Sequence, residues 1–338
     1  MNGLVKLTPM SRPPMPLWLK DRLPLRDGVG PSCVATPSAR PDTAGPLMLD
    51  FLSHRLPAID RPEWHRRLSA GDVVMESASG EPQALTAEAS FEPGRRLFYY
   101  RALPQEVVLP FKARVLYQDE HLLVADKPHF MPVVPSGRFL KQALLVQLKA
   151  AYGLPDLTPI HRIDRDTAGL VMFSVSAQSR GAYQALFRNR LVDKTYEAVA
   201  PWRADLNFPL VRKSRIVEAK DFFKCTEEAG VPNSETAIEL LARSVNPAWA
   251  LYRLKPMTGK RHQLRVHMNA LGLPLQNDPF YPVVNDPEPG DYSRPLQLLA
   301  RELRFFDPMA QTERGFVSQL KLAWPSPLAS SPPNVFPI

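Results

Sequence analysis

The stretch HRIDRDTAGL, residues 161–170, places His161, Arg162, Asp164, Arg165, Asp166 and Gly169 within ten positions and then turns apolar as VMFSV. A carboxylate held among arginines at the mouth of a buried strand is either a stabilising ion pair or a reactive group, a nucleophile or a base. Two further segments mix charge with apolar residues in the same way: DKTYEAV at 193–199 and LKPMTGKRHQLRVHMNALGLPLQNDPFY at 254–281. Other chemistries fail on spacing. TGK at 258–260 lacks the earlier glycine of a phosphate loop, where Leu254 stands, and Arg261 replaces the Ser or Thr. His262 and His267 are five apart, so they do not share a helix face as two zinc ligands four apart do. No G-x-S-x-G elbow for a serine nucleophile occurs.

These segments must be carried by regular elements, and the patterning supplies them. VLYQDEHLLVADKP reads as a strand pair. FLKQALLVQLKAAYG carries Leu140, Leu144 and Leu148 at helical spacing and stops at Gly153 and Pro155. GLVMFSV is a buried strand, Ser176 caps the helix AQSRGAYQALFRNR, and KTYEAVA alternates as a strand. ETAIELLARS and WALYRLKP are two strands around a turn at 245–247, KRHQLRVHMNALG is a helix ended by Gly272, and LQLLARELRF is a closing strand. Residues 201–233 show no clean periodicity and read as a long insertion. Before this region (106–325), residues 1–46 read as a Pro-rich arm and 47–105 as a small unit of two helices followed by strands; 326–338 is a Pro-rich tail.

The chain of 338 residues carries a formal net charge of +8, which favours a polyanionic partner, because each Lys or Arg set against a phosphate releases counterions; a generally basic protein is the alternative. Its two cysteines, Cys33 and Cys225, form no CxxC pair, which argues against a disulfide framework or zinc site and fits a reducing, cytoplasmic setting. No apolar run reaches a membrane span and no secretory signal is evident.

Together the three segments resemble the signature of RluA-type pseudouridine synthases: an H-R-L-D-x-x-T-S-G-L loop, a K-x-Y strand, and a T-G-R-x-H-Q-I/L-R-V-H helix leading to a G-D-P-x-Y turn. Here Ile163 and Ala168 depart from the first motif, and Lys260, Leu273 and Asn277 from the third; Asn tolerates the left-handed backbone that glycine supplies. VLYQDEHLLVADKP and LQLLARELRF are similar to the opening and closing strands. The resemblance spans roughly 110–307 and implies an α+β domain with a mixed, mostly antiparallel sheet and an RNA cleft. The 47–105 unit resembles, more weakly, an S4-type RNA-binding module, with a structural subdomain as the alternative.

By this resemblance Asp164 is the catalytic aspartate, Arg265 its cationic partner, able to grip it bidentately, and Tyr196 the ring that stacks on uracil and whose oxygen could act as a base. Substrate-binding positions implied with them are His161, Arg162, Thr167, Gly169, Lys194, His262, Gln263 and Leu298. Leu298 forms the apolar floor, with Leu296 as the register alternative. Arg162 fills the space of a flipped uridine or contacts phosphate. His161 is expected to be a structural hydrogen-bonder and Asp166 a turn carboxylate. No metal or cofactor is implied, since the reaction is an isomerisation. The partner is structured RNA, ribosomal or transfer, and the protein a monomer. The rival is a non-catalytic RNA-binding protein on the same scaffold; a DNA-binding regulator lacks a recognition helix and a dimer heptad.

Overall fold

The computed structural model describes residues 16, 19–41, 45–101, 106–221, 223–244, 249–285 and 287–324. The first fifteen residues, the turn expected at 245–247 and the tail 326–338 lie outside the described residues. The chain divides into two compact units, with the boundary between Leu103 and Pro104.

The first unit holds α1 (Leu19–Arg22), β1 (Ser32–Ala35), α2 (Met48–Arg55), α3 (Arg61–Ser69), β2 (Val73–Glu76), β3 (Pro82–Ala84) and β4 (Arg96–Tyr99), its strands forming an antiparallel sheet in the order β1-β4-β2-β3. The Asp60 carboxylate accepts from the Glu63 N–H and starts α3, with Pro62 in the first turn, where its missing N–H costs nothing. α2 and α3 bury Phe51, Leu52, Trp64 and Leu68 against Val73, Met75, Leu97 and Tyr99 of the sheet. β1 lies inside the stretch read from sequence as an extended arm. Four residues with only every second one half-buried give too weak an alternation to stand out among prolines.

The second unit holds β5 (Arg114–Gln118), β6 (Leu122–Lys127), α4 (Leu144–Tyr152), β7 (Thr158–Pro159), β8 (Ala168–Ser174), α5 (Ala177–Arg188), β9 (Asp193–Pro201), β10 (Leu210–Glu218), β11 (Cys225–Glu228), β12 (Ser234–Arg243), β13 (Trp249–Pro256), α6 (Gln263–Ala270), β14 (Leu298–Asp307) and β15 (Thr312–Val317). They build an eleven-stranded sheet in the order β11-β10-β12-β13-β9-β14-β8-β6-β5, with β15 on β14 and β7 on β8. All these pairs are antiparallel except β8–β14. The fold is therefore α+β with a mixed, mostly antiparallel sheet.

β8 is buried along its whole length, and its period of two sends its side chains to both faces. Val171 and Phe173 pack with Leu144 and Leu148 of α4, whereas Leu170 and Met172 pack with Tyr183 and Leu186 of α5. α6 lays Leu264 and Met268 on Ala198, Tyr252, Leu254 and Leu298. The stretch 201–233 is not a structureless insertion, for it supplies β10 and β11 at the sheet edge. Its buried positions include Ser214, whose hydroxyl meets the buried His267 ring at 3.0 Å, so hydrophobic alternation does not mark the strand.

Candidate active site

The HRIDRDT loop enters β8 at its parallel crossing with β14, where Leu299 and Ala300 lie beside Ala168 and Gly169. Gly169 has φ +111, and a Cβ there would sit 2.3 Å from the Ala300 carbonyl oxygen and 2.7 Å from its nitrogen. Only glycine fits. Gly169 is absent from the residues lining the cleft, and backbone crowding by itself accounts for the glycine there.

Beside this crossing lies an open cleft of about 900 Å³ lined by Asp164, Tyr196, Arg265, Leu298, His161, Arg162, Thr167, Lys194, His262 and Gln263 together with Arg165, Phe187, Arg188, Arg190, Lys260 and Arg261. Asp164 is the one carboxylate among the described lining residues. Leu296 instead packs in the core below and is absent from the lining. β9 presents Tyr196 to the cleft, while its neighbour Glu197 pairs with Arg301 at 2.7 Å.

Arg265 Nη1 donates to Asp164 Oδ2 at 3.2 Å. This single contact corrects the bidentate grip expected from sequence. Arg265 spends its fork on Asp278, donating from Nε at 2.8 Å and Nη2 at 2.6 Å. Asp278 also accepts from the Phe280 and Tyr281 N–H groups, at 2.9 Å and 3.1 Å. The Arg265 and Asp278 side chains are 1% and 0% exposed, whereas Asp164 keeps 28%. Asp278 was part of the quoted NDPFY turn, yet its role was missed, because nothing in the spacing says that the turn folds back onto α6. Asn277 supplies the left-handed backbone of that turn, with φ 61.

Burial pushes the Asp164 carboxyl up, but His262, Arg265 and Lys127 more than offset this, and it ends below its ordinary value. Burial lowers His262 to about 4, despite the attraction of Asp164, so its ring 3.9 Å from that carboxylate is neutral at pH 7. The cation that then acts on Asp164 throughout the neutral range is Arg265; the fully buried Lys127, lowered by burial to about 7, is only partly charged there. Lys127 Nζ donates to the carbonyls of Pro128 and Arg165, the latter at 3.0 Å, tying down the HRIDRDT loop. Burial, and then the Asp164 charge, raise the Tyr196 phenol well above its ordinary value.

Several lining residues have occupied side chains. His161 Nε2 accepts from the Met172 N–H at 3.1 Å, its ring stacks on Phe187 at 4.5 Å, and burial lowers it to about 3. Gln263 donates to Glu235 O and Thr236 Oγ1 and accepts from Thr258 Oγ1 and the Lys260 N–H. Its amide braces the α6 start and has no capacity left for a ligand. The Lys194 ammonium donates to Thr258 O at 3.3 Å. Arg165, also in the lining, pairs with Asp166 outside it at 2.9 Å.

In the first unit, four arginines that could meet phosphate are already engaged. Arg66 and Arg67 both pair with Glu63, Arg95 pairs with Glu92 and Arg96 with Glu76. Arg67 is buried and also donates to the Tyr100 carbonyl.

The profile of the RNA pseudouridylate synthase family matches residues 121–270. An uncharacterized RNA pseudouridine synthase of Synechocystis sp. (strain ATCC 27184 / PCC 6803 / Kazusa) is 30% identical over 244 residues, covering 69% of this chain and 79% of its own. The dual-specificity RNA pseudouridine synthase RluA of Vibrio cholerae serotype O1 is 33% identical over 205 residues, covering 57% of this chain and 77% of its own. The solved structure of Human RNA Pseudouridylate Synthase Domain Containing 1 superimposes with a TM-score of 0.51 at 22% identity, covering 63% of this chain and 85% of that one, a likeness of fold. The site is a basic cleft around one carboxylate on a mixed sheet. The chain belongs to the RNA pseudouridine synthase family, of the RluA type, and is an isomerase acting on RNA.

Proposed function

We propose that this protein converts particular uridines of structured ribosomal or transfer RNA to pseudouridine, and that Asp164 opens the reaction. The observation that carries this is the setting of Asp164, a single partly exposed carboxylate at the floor of a basic cleft, held ionised beside a buried guanidinium. The reaction breaks the C1′–N1 bond, turns the base and forms a C1′–C5 bond; C5 loses a proton and N1 gains one, so composition is unchanged. An ionised Asp164 can attack C1′, add to C6 of the uracil, or take the C2′ proton. Each route needs the carboxylate unprotonated, and the lowered pKa provides that across the neutral range.

The target base must leave its stack to reach Asp164. The Tyr196 ring and the Leu298 side chain suit the two apolar contacts of a flipped base, and the raised phenol pKa favours Tyr196 as a stacking group and donor over a base. Exposed Arg162 is placed to enter the vacated stack or to meet a phosphate. Asp164→Asn keeps shape and removes the reactive group. Mapping pseudouridine in total RNA from cells lacking the protein and complemented with either form names the target and tests the residue. The expected result is restoration by the wild type alone. Turnover by Asp164→Asn above about 1% of wild type, against a typical catalytic-group share of 10²–10⁴, refutes the assignment.

A further inference from the structure

Among the described residues, three helices end in the same pair of hydrogen bonds. After α3, the Gly71 N–H donates to Leu68 O and the Asp72 N–H to Arg67 O; after α6, Gly272 donates to Asn269 O and Leu273 to Met268 O. After α5, Arg190 donates to Phe187 O at 3.2 Å and Leu191 to Leu186 O at 2.8 Å. The first donor of each pair is the residue that turns left-handed, with φ +70 at Gly71, +71 at Gly272 and +58 at Arg190. That position favours glycine, because in the left-handed region Cβ crowds a carbonyl oxygen. Two of the turns obey the preference and the third carries an arginine.

The exception is the turn that opens on the cleft. Arg190 lines it with Arg188, Lys194, Arg162 and Asp164, and its side chain is exposed. Among the described residues no carboxylate pairs with Arg190, whereas the arginines of the first unit described above are paired. Burial and then the Arg190 charge lower the Lys194 ammonium, so this wall holds two cations that repel each other until an anion arrives.

Resting on the pseudouridine synthase reading, we propose that Arg190 is a substrate-binding residue that grips a phosphodiester of the RNA strand beside the reacting uridine. The chain keeps arginine where glycine would make a more stable turn. The left-handed residue lines the cleft beside Arg188 and Lys194, where a long cationic side chain can meet a phosphodiester of a bound strand.

Arg190→Gly, Arg190→Ala and Arg190→Lys in the full-length protein separate the two demands. The probe is a fluorescently labelled stem–loop RNA with uridines in its loop, titrated at several salt concentrations, with thermal melting measured alongside. Arg190→Gly is expected to melt about 2–4 °C higher while binding RNA roughly fivefold to tenfold more weakly, with the slope of log K against log salt reduced by about one. Arg190→Ala should lose the same affinity without the gain in melting temperature, and Arg190→Lys should keep the slope. A more stable Arg190→Gly with an unchanged slope would show that the arginine is merely tolerated, and one that melts lower would show that the turn is not strained; either overturns the inference. Asp164→Asn in the same preparation tests the catalytic reading separately. If it still forms pseudouridine that reading falls, and if it is inactive while Arg190→Gly binds like wild type only the Arg190 inference falls.

Discussion

Replacing Asp278 by Asn removes one of the two carboxylates that share Arg265. Asp278 takes two of the guanidinium's N–H groups, at 2.6 Å and 2.8 Å, with both side chains at 1% exposure or less. Removing one partner of such a buried pair costs up to about 3–5 kcal/mol, the single Asp164 contact at 3.2 Å offsetting only part of the charge left in a low dielectric. Asn offers one acceptor where two are used, and its amide N–H₂ confronts an arginine donor. At about 2–4 °C per kcal/mol for a unit of this size, Asp278→Asn is expected to melt up to roughly 6–20 °C below wild type. Asp164→Asn loses only a single 3.2 Å contact at a carboxylate 28% exposed, and Arg265 stays neutralised by Asp278. Its stability cost is about 1 kcal/mol or less, yet its turnover should vanish. Calorimetry on both variants, with pseudouridine formation measured below their melting temperatures, separates holding from reacting. If Asp278→Asn melts within about 2 °C of wild type, Asp278 does not anchor Arg265; if Asp164→Asn melts as low as Asp278→Asn, Asp164 is a structural partner.

Tyr196→Phe should lower turnover by roughly tenfold or more if the phenol donates in the reaction, with RNA affinity kept by the ring; full activity would leave Tyr196 a stacking role alone. Gly169→Ala should fail to fold or melt far below wild type, since its Cβ would overlap the Ala300 backbone at 2.3–2.8 Å, and a melting curve like that of wild type would refute the crowding. Lys127, lowered to about 7 from an ordinary 10.5, lacks in the folded protein a proton that the unfolded chain holds between those values, so it makes stability rise with pH across that window. Lys127→Met should remove that part of the slope in urea titrations from pH 7 to 10, and parallel slopes for the two proteins would count against it. Because Arg66 and Arg95 are paired with Glu63 and Glu92, Arg66→Ala with Arg95→Ala should leave the salt slope of RNA binding unchanged; a drop of about one or more would show that they hold phosphate.

What the sequence determined by itself was the order of the elements and the residues with reactive side chains. Apolar runs of period two and 3.6, closed by Gly153 and Gly272, locate β8, β9, β13, β14, α4 and α6 because those signals are local. HRIDRDTAGL, DKTYEAV and TGKRHQLRVH likewise bring Asp164, Tyr196 and Arg265 into view as a set. Two classes of feature were hidden. β1 and β10 carry too few apolar residues in alternation to be seen, being an edge strand among prolines and a strand that buries Ser214 against His267. The second class is pairing. Whether Arg265 forks onto Asp164 or Asp278, whether Gln263 is free or saturated, and whether Gly169 meets RNA or the Ala300 backbone depend on distances set when α6 and the β8–β14 crossing pack on the sheet. Charge complementarity in a sequence states which partners are chemically possible; a difference of a few ångströms between them, decided only by tertiary packing, selects the pair that forms.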